Sequence, residues 1–219
     1  MKSFLKHLLF SAGNKQKIIS GPSKGMFVKY DINHRSQHLL GVYEREIYPY
    51  LRKGIKRSDV LVDIGANDGY YVLAFLKTGK KVIACEPAEI INELISNASL
   101  NNYSEPKDYI IERRLIGSAV SAGFVSVELL IKDIGGNKFF LVDIDGGESD
   151  LLNSCGDNFD HASVTWLIET HSKELEDSCV SFLQKKNYKV TIIKNAWWRR
   201  IIPEQRPLDH NRWLYAEHV

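Results

Sequence analysis

Short apolar runs take turns with amphipathic stretches along most of this chain, and that alternation limits the fold more than any other feature. The run Val60-Leu61-Val62-Asp63-Ile64 is nearly continuous in its apolar character and stops at Gly65. Such a run suits a strand covered on both faces, because a strand with one wet face would alternate polar and apolar residues. Comparable runs recur at 81–86, 109–113, 139–144, 164–169, 188–193 and 211–218. Between them, residues 70–77, 88–100, 125–132 and 174–186 read as helices. Regular alternation of this kind predicts an α/β fold: a doubly wound, mostly parallel seven-stranded sheet with helices on both faces. A covering helix is expected from Gly41 to Leu51, where Val42, Ile47 and Leu51 share a face and Pro49 is the imperfection. Residues 1–52 then form an N-terminal extension, and 53–219 one globular unit.

Composition narrows the setting. A hydrophobic fraction of 44% with 26% charged residues allows a sizeable buried core. With 29 Lys and Arg against 27 Asp and Glu, the net charge is +2, which lacks the concentrated positive field of nucleic-acid binders and argues against such a partner. Cys85, Cys155 and Cys179 form no CxxC pair, and their odd number argues against a disulfide framework, so a reducing, cytoplasmic location is expected. Lys6 and His7 interrupt the first apolar residues and leave too short a core for a signal peptide. No stretch approaches the ~20 apolar residues of a spanning helix. The stripe of Phe4, Leu5, Leu8 and Leu9 reads as packing against the domain or a partner, and homo-oligomerisation is left open.

In an open α/β sheet, ligands bind beyond the carboxyl ends of the strands. The first strand ends in Asp63-Ile64-Gly65-Ala66-Asn67-Asp68-Gly69-Tyr70, whose glycines permit a tight turn and close backbone approach to a ligand. The spacing is GxxxG rather than the GxGxxG of dinucleotide sites, and Asp63 would repel a phosphate. S-adenosylmethionine has no phosphate and carries an amine beside a sulfonium, so it suits this loop better. Glu86 follows 23 positions after Asp63 and can accept hydrogen bonds from the ribose hydroxyls of the same nucleoside, with Pro87 closing the strand.

Four motifs, Gly41-Val42-Tyr43-Glu44, Asp63-Ile64-Gly65-Ala66-Asn67-Asp68-Gly69-Tyr70-Tyr71, Asp143-Ile144-Asp145-Gly146-Gly147-Glu148 and Glu169-Thr170-His171, resemble the FkbM methyltransferase family in order and approximate spacing. The resemblance implies a class I, Rossmann-like methyltransferase that uses S-adenosylmethionine, with a saccharide or glycosylated small-molecule hydroxyl as acceptor. It places the cofactor against Asp63, Gly65, Ala66, Asn67, Gly69, Tyr70, Glu86, Pro87 and Asp143. Two rivals stand beside it. One is a non-catalytic binding or scaffold relative of the same fold; the other is a NAD-type oxidoreductase, opposed by the missing GxGxxG.

Methylation of a hydroxyl needs a group to take its proton, and the candidates are His171, Asp145 and Glu148. His171 has the imidazole suited to a base near neutral pH. Asp145 and Glu148 stand three residues apart just beyond a strand and can face one cavity if Gly146-Gly147 opens a helix. A divalent metal among Asp143, Asp145 and Glu148 is the less favoured arrangement, and no metal ligand is assigned. Histidines 34, 38, 161 and 210 lack metal-ligand spacing. The Trp197-Trp198-Arg199-Arg200 segment reads as a bulky, basic loop.

Overall fold

The computed structural model describes residues 15–119, 121–196 and 210–219; the Phe4–Leu9 stripe and the Trp197–Arg200 loop lie outside them. The N-terminal part contains β1 (Gln16–Lys17), β2 (Phe27–Val28), α1 (Ile32–Leu40) and α2 (Tyr48–Arg57). Then come β3 (Val60–Ile64), α3 (Tyr70–Leu76), β4 (Lys81–Cys85), α4 (Ile91–Ser99) and β5 (Ile110–Glu112). A small pair, β6 (Leu115–Ile116) and β7 (Phe124–Val125), precedes α5 (Val127–Ile131), β8 (Lys138–Val142) and α6 (Glu148–Asn153). The chain finishes with β9 (Val164–Thr170), α7 (Lys173–Lys185), β10 (Tyr188–Ile193) and β11 (Arg212–His218).

Seven strands form one sheet in the order β5-β4-β3-β8-β9-β11-β10. Neighbours from β5 to β9 run parallel, and β11 runs antiparallel to both β9 and β10. The seven strands and their mostly parallel pairing match the sequence expectation. Period-two alternation divides the core. Leu61, Val82, Phe139, Leu141, Leu167 and Trp213 pack with residues of α2, α3 and α4, whereas Val62, Ile83, Phe140, Trp166 and Leu214 pack with residues of α5, α6 and α7. From β3 the chain moves outward through β4 to β5, then returns to β8 on the other side of β3. Loops leaving β3 and β8 therefore diverge, and the carboxyl ends of these strands frame a crevice.

The N-terminal part departs from expectation. Gly41, at φ 65°, ends α1 in the left-handed conformation instead of opening a helix. Glu44 is also left-handed at φ 47°, so the next long helix begins only at Tyr48, with Pro49 in its first turn where a missing N–H costs nothing. The boundary at 52/53 falls inside α2, and Ile18, Val28, Tyr30 and Leu39 share a core with the sheet. The two-residue strands β1, β2, β6 and β7 are too short to leave a periodic signal in the sequence. Among the described residues, no helix is long and apolar enough to cross a membrane.

Gly54 in α2 packs on Phe139, and a Cβ there would lie 2.2 Å from the ring. Ala favours a helix over Gly by about 1 kcal/mol, but overpacking costs about 1–3 kcal/mol. Gly54→Ala should therefore lower the urea midpoint, and a raised midpoint would show that Phe139 yields freely. His38 stacks on Tyr43 at 4.0 Å, with the edges of Tyr30 and Tyr70 nearby, and burial assisted by Arg35 lowers its pKa to about 3. The unfolded chain takes up this proton first, below about pH 6.5, so the contribution of His38 to stability is complete above that pH and is lost on acidification. His38→Leu should flatten the fall of stability between about pH 6 and pH 4, a slope worth at most about 1.4 kcal/mol per pH unit. Identical slopes in parallel denaturant titrations would exclude this cause.

Candidate active site

Strand β3 delivers the glycine loop to the crevice. The N–H groups of Gly65 and Ala66 donate to the Cys85 carbonyl at 2.9 and 3.1 Å, which ties the loop to the end of β4. Gly65 has φ +85°, and a Cβ on it would lie 1.9 Å from the Asp143 carbonyl oxygen, so no other residue fits without moving β8. Gly69 has φ +88° and lies against Leu94 of α4. The Glu86 carboxylate accepts from the N–H groups of Asn67 and Ala88, each at 3.0 Å. Each of its oxygens retains a further lone pair for a ligand. The Asn67 side-chain oxygen accepts from Arg35 at 3.1 Å and from the Asp68 N–H at 2.8 Å, which fixes the loop against the N-terminal layer.

These residues border a cleft of about 390 Å³. Gly65, Asn67, Glu86, Pro87, Asp143 and Asp145 line one part of it, and Arg114, Leu115, Ile116 and Phe124 another. Its size is that of a small-molecule site. Asp63 lies at the end of β3, 1% exposed, and its Oδ1 has no hydrogen-bond partner among the described residues. Burial pushes its carboxyl well above the usual carboxylate range, and the charges of Asp143, Glu86 and Asp68 add to that. Asp63, Ala66, Gly69 and Tyr70 are not among the residues that line the cleft. Ala66 is buried in the core, and the Tyr70 ring lies 4.8 Å from His38 with its hydroxyl 3.3 Å from that of Tyr48.

A second constellation forms where β8 and β9 end. Strand parity puts Asp143 and Glu169 on the same face, and the first turns after each strand bring Asp145 and His171 to them. The Nδ1 of His171 lies 2.5 Å from Glu148 Oε1, and Glu148 is fully buried at the start of α6. Asp145, Asp143 and Glu169 approach its Nε2 at 3.4, 3.6 and 3.8 Å. The three residues expected to handle a proton thus meet at one imidazole. Burial lowers the pKa of His171, but the Glu148 hydrogen bond and the charges of Asp143, Glu148 and Asp145 outweigh it, so the net direction is upward. Asp143, Asp145 and Glu148 do not converge on one point, because the imidazole stands between Glu148 and the two aspartates.

Two further residues carry weight here that sequence reasoning passed over. Glu169 was noted only as a neighbour of His171; its place beside Asp143 follows from strand parity once β8 and β9 are known to pair. Glu44, which the sequence marks only as the last residue of the Gly41–Glu44 motif, is 5% exposed and accepts from the Tyr71 hydroxyl at 2.6 Å and from the Trp213 indole N–H at 3.2 Å. Trp213 in turn pairs with Glu169 across β11 and β9.

No family model and no curated protein matches the chain. Solved structures do match it in fold. FkbM from Methylobacillus flagellatus KT superposes with a TM-score of 0.56 at 18% identity, over 83% of this chain and 52% of that one. An rRNA methylase from Streptococcus thermophilus gives 0.53 at 11% identity, over 80% of this chain and 98% of that one. A SAM-dependent O-methyltransferase from Thermotoga maritima gives 0.51 at 16% identity, over 80% and 64%. The architecture is therefore the class I methyltransferase fold. Each of these three neighbours is a methylase or methyltransferase, and the Thermotoga maritima enzyme is SAM-dependent.

Glu148 should hold the proton of a neutral His171 on Nδ1. Nitrogen-15 NMR of the wild type is expected to show the Nδ1–H tautomer, and Glu148→Leu a shift towards Nε2–H. An unchanged tautomer would deny Glu148 that role.

Proposed function

We propose that the protein is an S-adenosylmethionine-dependent methyltransferase related to FkbM, acting on a hydroxyl of a saccharide or glycosylated small molecule. The observation that carries the reading is the cleft at the β3/β8 crossover, lined by Gly65, Asn67, Glu86 and Asp143, with the buried Asp63 two residues before Gly65. The residues fit the cofactor chemically. Asp63, whose Oδ1 has no hydrogen-bond partner among the described residues, suits an ammonium or its hydration, and Glu86 suits ribose hydroxyls.

Held between Gly65, Asn67, Glu86 and Asp143, the cofactor would supply a methyl group on the C–S bond of a sulfonium. The acceptor oxygen must lie in line with that bond. The His171 Nε2 faces the region next to Asp143, which lines the cleft, and can take the hydroxyl proton as the C–O bond forms. Glu148 would hold the imidazole in orientation and stabilise the imidazolium, while Asp145, largely exposed, would receive the acceptor's hydroxyls. The saccharide acceptor is supported by the motif resemblance and by the low net charge, which offers little to a polyphosphate backbone.

Calorimetric titration with S-adenosylhomocysteine tests the reading. Saturable micromolar binding is expected in the wild type. Asp63→Ala, Glu86→Ala and Gly65→Ala should each weaken it by about 10-fold or more, at least ~1.4 kcal/mol. Wild-type protein that is folded but does not bind at millimolar ligand would rule the cofactor out.

A further inference from the structure

We infer that Asp143, Glu169 and His171 form a divalent-cation site at the edge of the methyl-transfer cleft. Donor atoms of the three residues all lie within 4.8 Å of one another. Each comes from the end of a rigid strand or the residue just beyond it, so their convergence is built by the pairing of β8 with β9.

An independent observation concerns the imidazole. The His171 side chain is only 8% exposed, and its Nδ1 is already engaged by Glu148. Among the described residues, its Nε2 makes no hydrogen bond, yet it faces three carboxylates. Two ligands on one ion at about 2.0–2.2 Å are separated by about 3.0–3.6 Å, and the Asp143 oxygen stands 3.6 Å and the Glu169 oxygen 3.8 Å from Nε2. Glu148 then occupies the place of the carboxylate that orients a metal-bound histidine through its other nitrogen.

One imidazole with two carboxylates, open towards the cleft, suits a cation of intermediate character such as Mn²⁺ or Zn²⁺. The purpose of the site rests on the methyltransferase reading, although its geometry does not. An acceptor hydroxyl bound to the cation would ionise more readily. Since the cation uses the Nε2 lone pair, the hydroxyl proton would pass to the Asp145 carboxylate in place of His171. The oxygen would then take the methyl group as the C–S electron pair returns to sulfur.

The test is titration of chelator-treated, full-length protein with Mn²⁺, followed by electron paramagnetic resonance, and with Zn²⁺ by calorimetry. One saturable site per chain is expected. Glu169→Gln and Asp143→Asn should each weaken it about 10-fold or more, and Glu148→Gln should weaken it about 10–100-fold through His171. S-adenosylhomocysteine affinity, measured on the same preparations, should change little in Glu169→Gln and Glu148→Gln, and retained affinity also shows that these variants are folded. Folded wild-type protein that binds neither ion at millimolar concentration would overturn the site, as would binding that Glu169→Gln leaves unchanged. Cofactor binding without metal binding refutes the cation site alone, whereas metal binding without cofactor binding refutes the methyltransferase reading alone.

Discussion

At position 65 the loop leaving β3 passes so close to the Asp143 carbonyl that a side chain has no room, and the positive φ of Gly65 lets it do so. This contact joins the ends of the two central parallel strands, the point where the chain reverses its direction of travel through the sheet. Everything functional is arranged around it. The loop is pinned on one side by the Cys85 carbonyl and on the other by Arg35 and Asn67, so Glu86, Asp63 and Asp143 keep fixed relations. Rigid strands under a backbone loop hold a ligand site more exactly than a mobile loop would.

Acid accumulates at this end of the sheet beyond what stability would favour. Asp63 is buried beside Asp143 and Glu86, and the carboxyl is driven towards its neutral form as a result. A few strands away, four carboxylates surround His171. Buried charges of one sign are costly unless a counter-charge is supplied. On the proposed reading, a sulfonium-bearing amino acid on the β3 side and a cation on the β9 side would each add positive charge there.

The N-terminal layer serves the site as well as the core. Arg35 of α1 pairs with Asp68 at 2.8 Å and bonds Asn67, so the glycine loop is braced from outside the sheet. Glu44 links α3, through Tyr71, to β11, through Trp213, next to Glu169. Residues that looked like a covering extension are thus part of the support of both halves of the site.

Local patterning determined much of this architecture, as the strand positions at 60–64, 81–85, 138–142 and 188–193 show. A strand buried on both faces must be apolar at successive positions, and the glycine and acid that end β3 follow from chemistry local to that turn. The same local logic could mark Asp63, Gly65, Glu86 and His171. It could not place Glu44, because its burial depends on Trp213, far away in sequence, nor keep the Tyr70 ring out of the cleft, because that depends on His38 and Tyr48. The meeting of Glu148, His171, Glu169 and Asp143 likewise comes from the register of β8 against β9. Spacing along a chain fixes which face a side chain takes within its own element; only the packing of elements against one another fixes which side chains meet.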